Sequence, residues 1–199
     1  MNNPMPNVTW SENIMIVDAD YVDSVAFDLI VNFERMLERR IPQADLARWI
    51  DCVALDGGLR EGEHDTQVVL IHDKQSQALK NFSPASYADE LNGKAFKDHL
   101  GEFVISAIPV EAMGGKDEQL LDTLRLVCGQ TDVKRIMVVA DMDRLFADVR
   151  HAIRQVDDEQ QRITLFAMQP LAGSGPFRQE ILGYSLMAAL GIRGDEIKA

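Results

Sequence analysis

Two apolar runs in this chain each end in an Asp-x-Asp pair. Ile14-Met15-Ile16-Val17 leads into Asp18-Ala19-Asp20, and Ile136-Met137-Val138-Val139-Ala140 leads into Asp141-Met142-Asp143. Carboxylates brought close together repel one another, and they tolerate this most readily when they share a divalent cation or a proton. Hard oxygen donors suit Mg²⁺ or Mn²⁺, two of which can clamp the attacking and leaving oxygens of a phosphoryl group while a carboxylate orients the water. Chemistry of this kind needs no nucleophilic Ser or Cys. Each acid also has a plainer use, because Asp18 and Asp141 stand where the N-cap of a following helix would be.

The residues around these pairs determine whether the acids can meet. An unbroken apolar run reads as a strand buried on both faces, as in parallel sheets covered by helices. The carboxyl ends of such strands open onto a shared crevice. Further strands are predicted at 66–72, 103–108, 135–140 and 163–168, the second of them a short edge strand closed by Pro109. Apolar positions spaced by three and four predict helices at 22–39, 43–55, 116–127, 143–155 and 179–190, with short helices at 86–91 and 95–100. Alternation of this kind implies right-handed crossovers and an α/β fold, a helix-sheet-helix sandwich around a mainly parallel sheet. The 199 residues suit one domain, expected over 14–199, preceded by a flexible arm at 1–13 that contains Pro4 and Pro6.

No apolar stretch approaches the roughly 18 residues of a transmembrane helix, and the first residues lack both a basic flank and an apolar signal core. Cys52 and Cys128 are too few and too separated for a metal knuckle or a disulfide framework, so the expectation is buried, reduced thiols in a cytoplasmic protein. The formal charge of -12 argues against long-range attraction to nucleic acid. Arg35, Arg39, Arg40 and Arg48 form one basic cluster, and Lys134, Arg135, Arg144, Arg150 and Arg154 another; both also read as solvated helix faces paired with neighbouring acids.

Acids recur in the helix after Gly114-Gly115. Asp117 and Asp122 are separated by roughly 140 degrees around a helix, whereas Glu118 and Asp122 share a face. The stretch Gly115-Lys116-Asp117-Glu118-Gln119-Leu120-Leu121-Asp122-Thr123-Leu124-Arg125-Leu126, followed by Ile136-Met137-Val138-Val139-Ala140-Asp141-Met142-Asp143, resembles the second half of an NYN domain. Ile16-Val17-Asp18-Ala19-Asp20 is similar to that family's first strand, and the likeness covers about a third of the chain. NYN domains are PIN-like nucleases. The resemblance implies a PIN-like fold and a ribonuclease using magnesium or manganese, with Asp18, Asp122, Asp141 and Asp143 as the metal-binding and catalytic acids. Asp20, Asp117 and Arg144 are additional candidates. The pattern departs where Val139-Ala140 replace small polar residues, where Arg144 stands in place of an aromatic, and where 56–65 is inserted. Arg144 can hold a phosphate or neutralise the acids.

Two other readings remain open. A PIN-like domain can keep its crevice but lose turnover, serving as a scaffold for a protein partner, a nucleotide or a second copy of itself. Alternatively, Asp18-Ala19-Asp20-Tyr21-Val22 resembles the first motif of haloacid-dehalogenase-type phosphatases, with Asp18 as nucleophile and Asp20 as general acid. That family places Ser or Thr after a later strand, where this chain has His72-Asp73. Gly173-Ser174-Gly175-Pro176 reads as a loop. His64, His72, His99 and His151 show no metal spacing, and His72 reads as a packed residue.

Overall fold

A computed structural model describes residues 9–76, 79–86, 88–111, 115–154, 162–173 and 175–197. In chain order the elements are β1 (Asn13–Asp18), α1 (Ala19–Leu37), β2 (Ala44–Asp45), α2 (Leu46–Asp56), β3 (His64–Asp73), β4 (Phe82–Ser83), α3 (Ala88–Leu91) and β5 (Ala95–Asp98). There follow β6 (Gly101–Val110), α4 (Gly115–Cys128), β7 (Arg135–Val139), α5 (Met142–Arg154), β8 (Ile163–Ala167), β9 (Arg178–Ile181), α6 (Leu182–Ala189) and α7 (Gly194–Ile197). Most of the expected arm at 1–13 lies outside the described residues, as do Gly114, Ser174 and the last position of the helix expected at 143–155.

Seven strands form one sheet in the order β5-β6-β3-β1-β7-β8-β9, and only β5 runs antiparallel to its neighbour. The chain begins at the centre with β1, moves outward through β3 and β6, then returns to the other side of β1 for β7, β8 and β9. β1 and β7 therefore meet where the winding reverses, and the carboxyl ends of parallel strands open into a crevice at such a point. The expected α/β sandwich is what the chain forms, and the arrangement is consistent with a PIN-like fold.

All six residues of β1 are buried because both faces of the sheet are covered. Met15 and Val17 face one core, with Val22 and Ala26 of α1, Trp49 and Val53 of α2, and Leu186 of α6. Ile14 and Ile16 face the other, with Leu124 of α4 and Val149 of α5. Alternating side chains on one strand thus hold two layers of helices. Trp49 belongs to the first core, where its indole N–H donates to the Ser185 hydroxyl at 3.1 Å, and Trp10 packs against the second.

Three expectations are corrected. Residues 95–98 are a strand rather than the start of a helix, since Phe96 lies opposite Phe103 across the β5–β6 ladder and stacks on it at 4.8 Å. Cross-strand aromatic packing outweighs the local pattern here. β6 is a ten-residue interior strand, not a short edge. It tolerates Pro109 because β5 reaches only as far as Val104, so that end of β6 has no ladder partner on the β5 side. The closing helix begins at Leu182, and Arg178–Ile181 pair with β8 as the outermost strand; the polar Arg178 and Gln179 stay exposed there. Of the cysteines, Cys128 is buried and Cys52 is only half-buried.

Candidate functional site

The carboxyl ends of β3, β1 and β7 lie side by side. Val17 is level with Leu70 on one side and Val139 on the other, so Asp18, Asp73 and Asp141 leave the sheet along one edge. Asp18 is 2 % exposed and caps α1, accepting from the Tyr21 backbone N–H at 3.1 Å. The capping role and the crevice position belong to the same residue. Burial raises the Asp18 carboxyl above its ordinary pKa, against the opposing pull of Lys116 and of the cap.

Two cations stand among these acids. The Lys116 ammonium, in the first turn of α4, is 3.4 Å from Asp18, 3.2 Å from Asp20 and 3.4 Å from Asp73. Asp20 is held from the other side as well, accepting from the Asp73 backbone N–H at 2.7 Å. Burial works against the charge on Lys116, yet Asp18, Asp20 and Asp73 together hold its pKa above the usual lysine value. The neighbouring residue in the same turn, Asp117, pairs with Arg144, whose guanidinium also lies 3.8 Å from Asp141. Successive residues of α4 therefore reach both halves of the crevice, Lys116 the acids after β1 and β3 and Asp117 the arginine beside Asp141. The Tyr21 phenol lies in the field of Asp141, Asp143 and Asp18; burial first, and then those charges, push its pKa up to about 12. It stays protonated, an O–H donor within the field of those acids.

Of the sequence candidates, Asp18, Asp20, Asp117, Asp141, Asp143 and Arg144 are gathered at this edge. Asp122 lies on a half-exposed flank of α4, 3.1 Å from Arg125. Sequence reasoning passed over Lys116, Asp73 and Tyr21 as site residues. Lys116 and Tyr21 lie within the quoted motifs, and Asp73 ends a strand as Asp18 does, so a strand-end signal was present. His72 is buried, and its Nδ1–H donates to the Asp73 carbonyl at 2.9 Å, as expected for a packed residue.

Carboxylate oxygens are the donors that Mg²⁺ and Mn²⁺ take, so the crevice fits such an ion by chemistry. Its centre is shared with Lys116 and Arg144. Among the described residues, the trio whose ligand atoms all lie within 4.8 Å of one another is elsewhere: Asp51, Asp98 and His99. Burial, then Asp98, then Asp45 push the Asp51 carboxyl up to about 7. No sequence spacing announced that group, because Asp51 belongs to a helix and the other two to a distant hairpin.

A family model described as a family of unknown function, DUF6621, matches residues 7–197, and the chain belongs to that family. No curated protein and no solved structure matches. No helix among the described residues is long and apolar enough to cross a membrane.

Proposed function

We propose that this DUF6621 member is a PIN-like, metal-dependent ribonuclease that hydrolyses phosphodiesters at the acidic crevice. The observation that carries the reading is the meeting of Asp18 and Asp141 at the ends of two hydrogen-bonded parallel neighbours, β1 and β7. Four further acids, Asp20, Asp73, Asp117 and Asp143, lie around them. Asp18, Asp141 and Asp143 would hold Mg²⁺ or Mn²⁺, with Asp20 and Asp117 beside them. When bound, such an ion supplies positive charge against the phosphate and polarises the attacking water. The Tyr21 phenol can donate a hydrogen bond to a substrate oxygen while keeping its proton, and Lys116 and Arg144 are the cations available to non-bridging phosphate oxygens. The Asp122 of the sequence resemblance contributes less on this reading, since its carboxylate pairs with Arg125.

A second reading is favoured by one observation. Lys116 bridges three carboxylates, and a tethered ammonium there neutralises the acids without any metal. The crevice would then belong to a PIN-like scaffold that binds a protein, a nucleotide or a second copy without turning anything over.

The experiment that separates them is calorimetric titration of Mn²⁺ into the wild type and into an Asp18→Asn, Asp141→Asn double variant, followed by incubation of both with mixed single-stranded RNA. Saturable binding and cleavage that disappear together in the variant support the nuclease. No binding, or binding without cleavage, supports the scaffold, and equal binding by both proteins removes the metal from the crevice.

A further inference from the structure

We propose that Asp51, Asp98 and His99 form a second metal site, selective for Zn²⁺-type ions and separate from the crevice. The donor set is mixed, with two carboxylates and an imidazole. Imidazole suits zinc and its transition-metal neighbours, whereas Mg²⁺ and Ca²⁺ prefer all-oxygen surroundings. The three ligand atoms lie within 4.8 Å of one another. Ligands bound ~2.1 Å from one tetrahedral ion stand ~3.4 Å apart, so side-chain rotations that draw the three donors together would seat an ion and leave a fourth position for water.

A second observation bears on the same group. One oxygen of Asp51 is buried, and no hydrogen-bond donor reaches it. The charged groups acting on Asp51 are Asp98 and Asp45, both negative. Two acceptors held in contact without a donor between them are costly unless a proton or a cation joins them. In the crevice, Lys116 and Arg144 fill that role.

The site is also pre-organised. Asp98 ends β5 and pairs with Gly101, leaving His99-Leu100 as a two-residue hairpin loop. The Leu100 N–H donates to Asp98 Oδ1 at 2.9 Å, and the His99 carbonyl accepts from the Gly62 N–H at 3.0 Å. Gly101 has φ +107°, and a Cβ there would collide with the His64 backbone, so the loop is clamped against the start of β3. Asp51 comes from the middle of α2. An ion held here joins the helical layer to the β5–β6 edge, giving folding stability that depends on metal.

The test uses the full chain stripped of metal and titrated with ZnCl₂, with MgCl₂ as a competitor and the melting temperature recorded alongside. One Zn²⁺ that excess Mg²⁺ does not displace and a raised Tm are expected for the wild type and for the Asp18→Asn, Asp141→Asn variant alike, any Zn²⁺ taken up by the crevice being lost in the variant. His99 is exposed, so His99→Ala removes a ligand without opening the core. It is expected to weaken Zn²⁺ binding ~10-fold or more and abolish the Tm rise. Asp51→Asn is the second variant, expected to do the same. The proposal is overturned if the wild type binds no Zn²⁺, if both ligand variants bind it as tightly as the wild type, or if binding is lost with Asp18 and Asp141 instead.

Discussion

The two acidic clusters of this protein resolve the same electrostatic conflict in opposite ways. At the carboxyl edge of the sheet, acids from β1, β3 and the β7–α5 turn converge on Lys116 and Arg144, so opposite charge is supplied from within the fold. Between α2 and the β5–β6 hairpin, Asp51 faces Asp98 with no donor at its buried oxygen, and its carboxyl responds by holding its proton to about 7. Carboxylates repel in both places. A cation tethered in the fold offsets the repulsion in the first group, whereas the second needs a proton or an added ion. An acidic cluster is therefore read best by what stands between its members.

The sharpest way to break the comparison is to remove the crevice acids. Asp18→Asn with Asp141→Asn is expected to lower RNA cleavage by ~100-fold or more, since metal and water lose their ligands together; a gel assay with Mn²⁺ that shows undiminished cleavage would rule out the crevice as the catalytic site. Next in size is Lys116→Ala, which leaves the buried Asp18 facing Asp20 and Asp73 without their ammonium. A loss of about 2 kcal/mol in urea unfolding is expected without metal, largely recovered by Mn²⁺. No recovery would mean that the acids cannot accept an ion in place of the lysine.

A smaller effect concerns pH in metal-free protein. The Asp51 carboxyl rises from 3.8 to about 7 on folding. Below the lower value both states are protonated; between the two, the unfolded chain has released a proton that the folded chain still holds. Stability therefore falls as pH rises through that window and levels off above it. Asp51→Asn should make this part of the stability–pH curve shallower, the remainder belonging to Asp56, whose carboxyl burial and then Glu180 push up to about 6; an unchanged slope would assign all of it to other groups. The smallest effect is expected from Asp122→Asn, which removes an exposed i,i+3 pair with Arg125. About 0.5 kcal/mol is at stake, and Mn²⁺ affinity should not change; a clear loss of affinity would restore Asp122 to the site.

Much of the fold was legible from local pattern. The apolar runs at β1, β7 and β8 and the spaced apolar faces of α1, α4 and α5 were each readable in place, because burial on both faces of a strand or one face of a helix leaves a periodic trace. β5 and β9 leave no such trace. Ala95–Asp98 and Arg178–Ile181 have little apolar character of their own and become strands through their partners, Phe103 opposite Phe96 and β8 beside β9. At the crevice, the Asp-x-Asp pairs were visible because each directly follows its strand, whereas the use of Lys116 was not.

By itself the sequence determined which segments could be buried strands and which acids would stand at their ends, since side-chain alternation and strand termini are local properties. It also determined the charge of -12. Only the tertiary structure decided that β1 and β7 are neighbours, that Lys116 rather than an open space lies among Asp18, Asp20 and Asp73, and that Asp51 meets Asp98 and His99. Those are contacts between residues far apart in the chain, and the Coulomb energy that makes a site depends on distances of a few ångströms that no sequence spacing encodes.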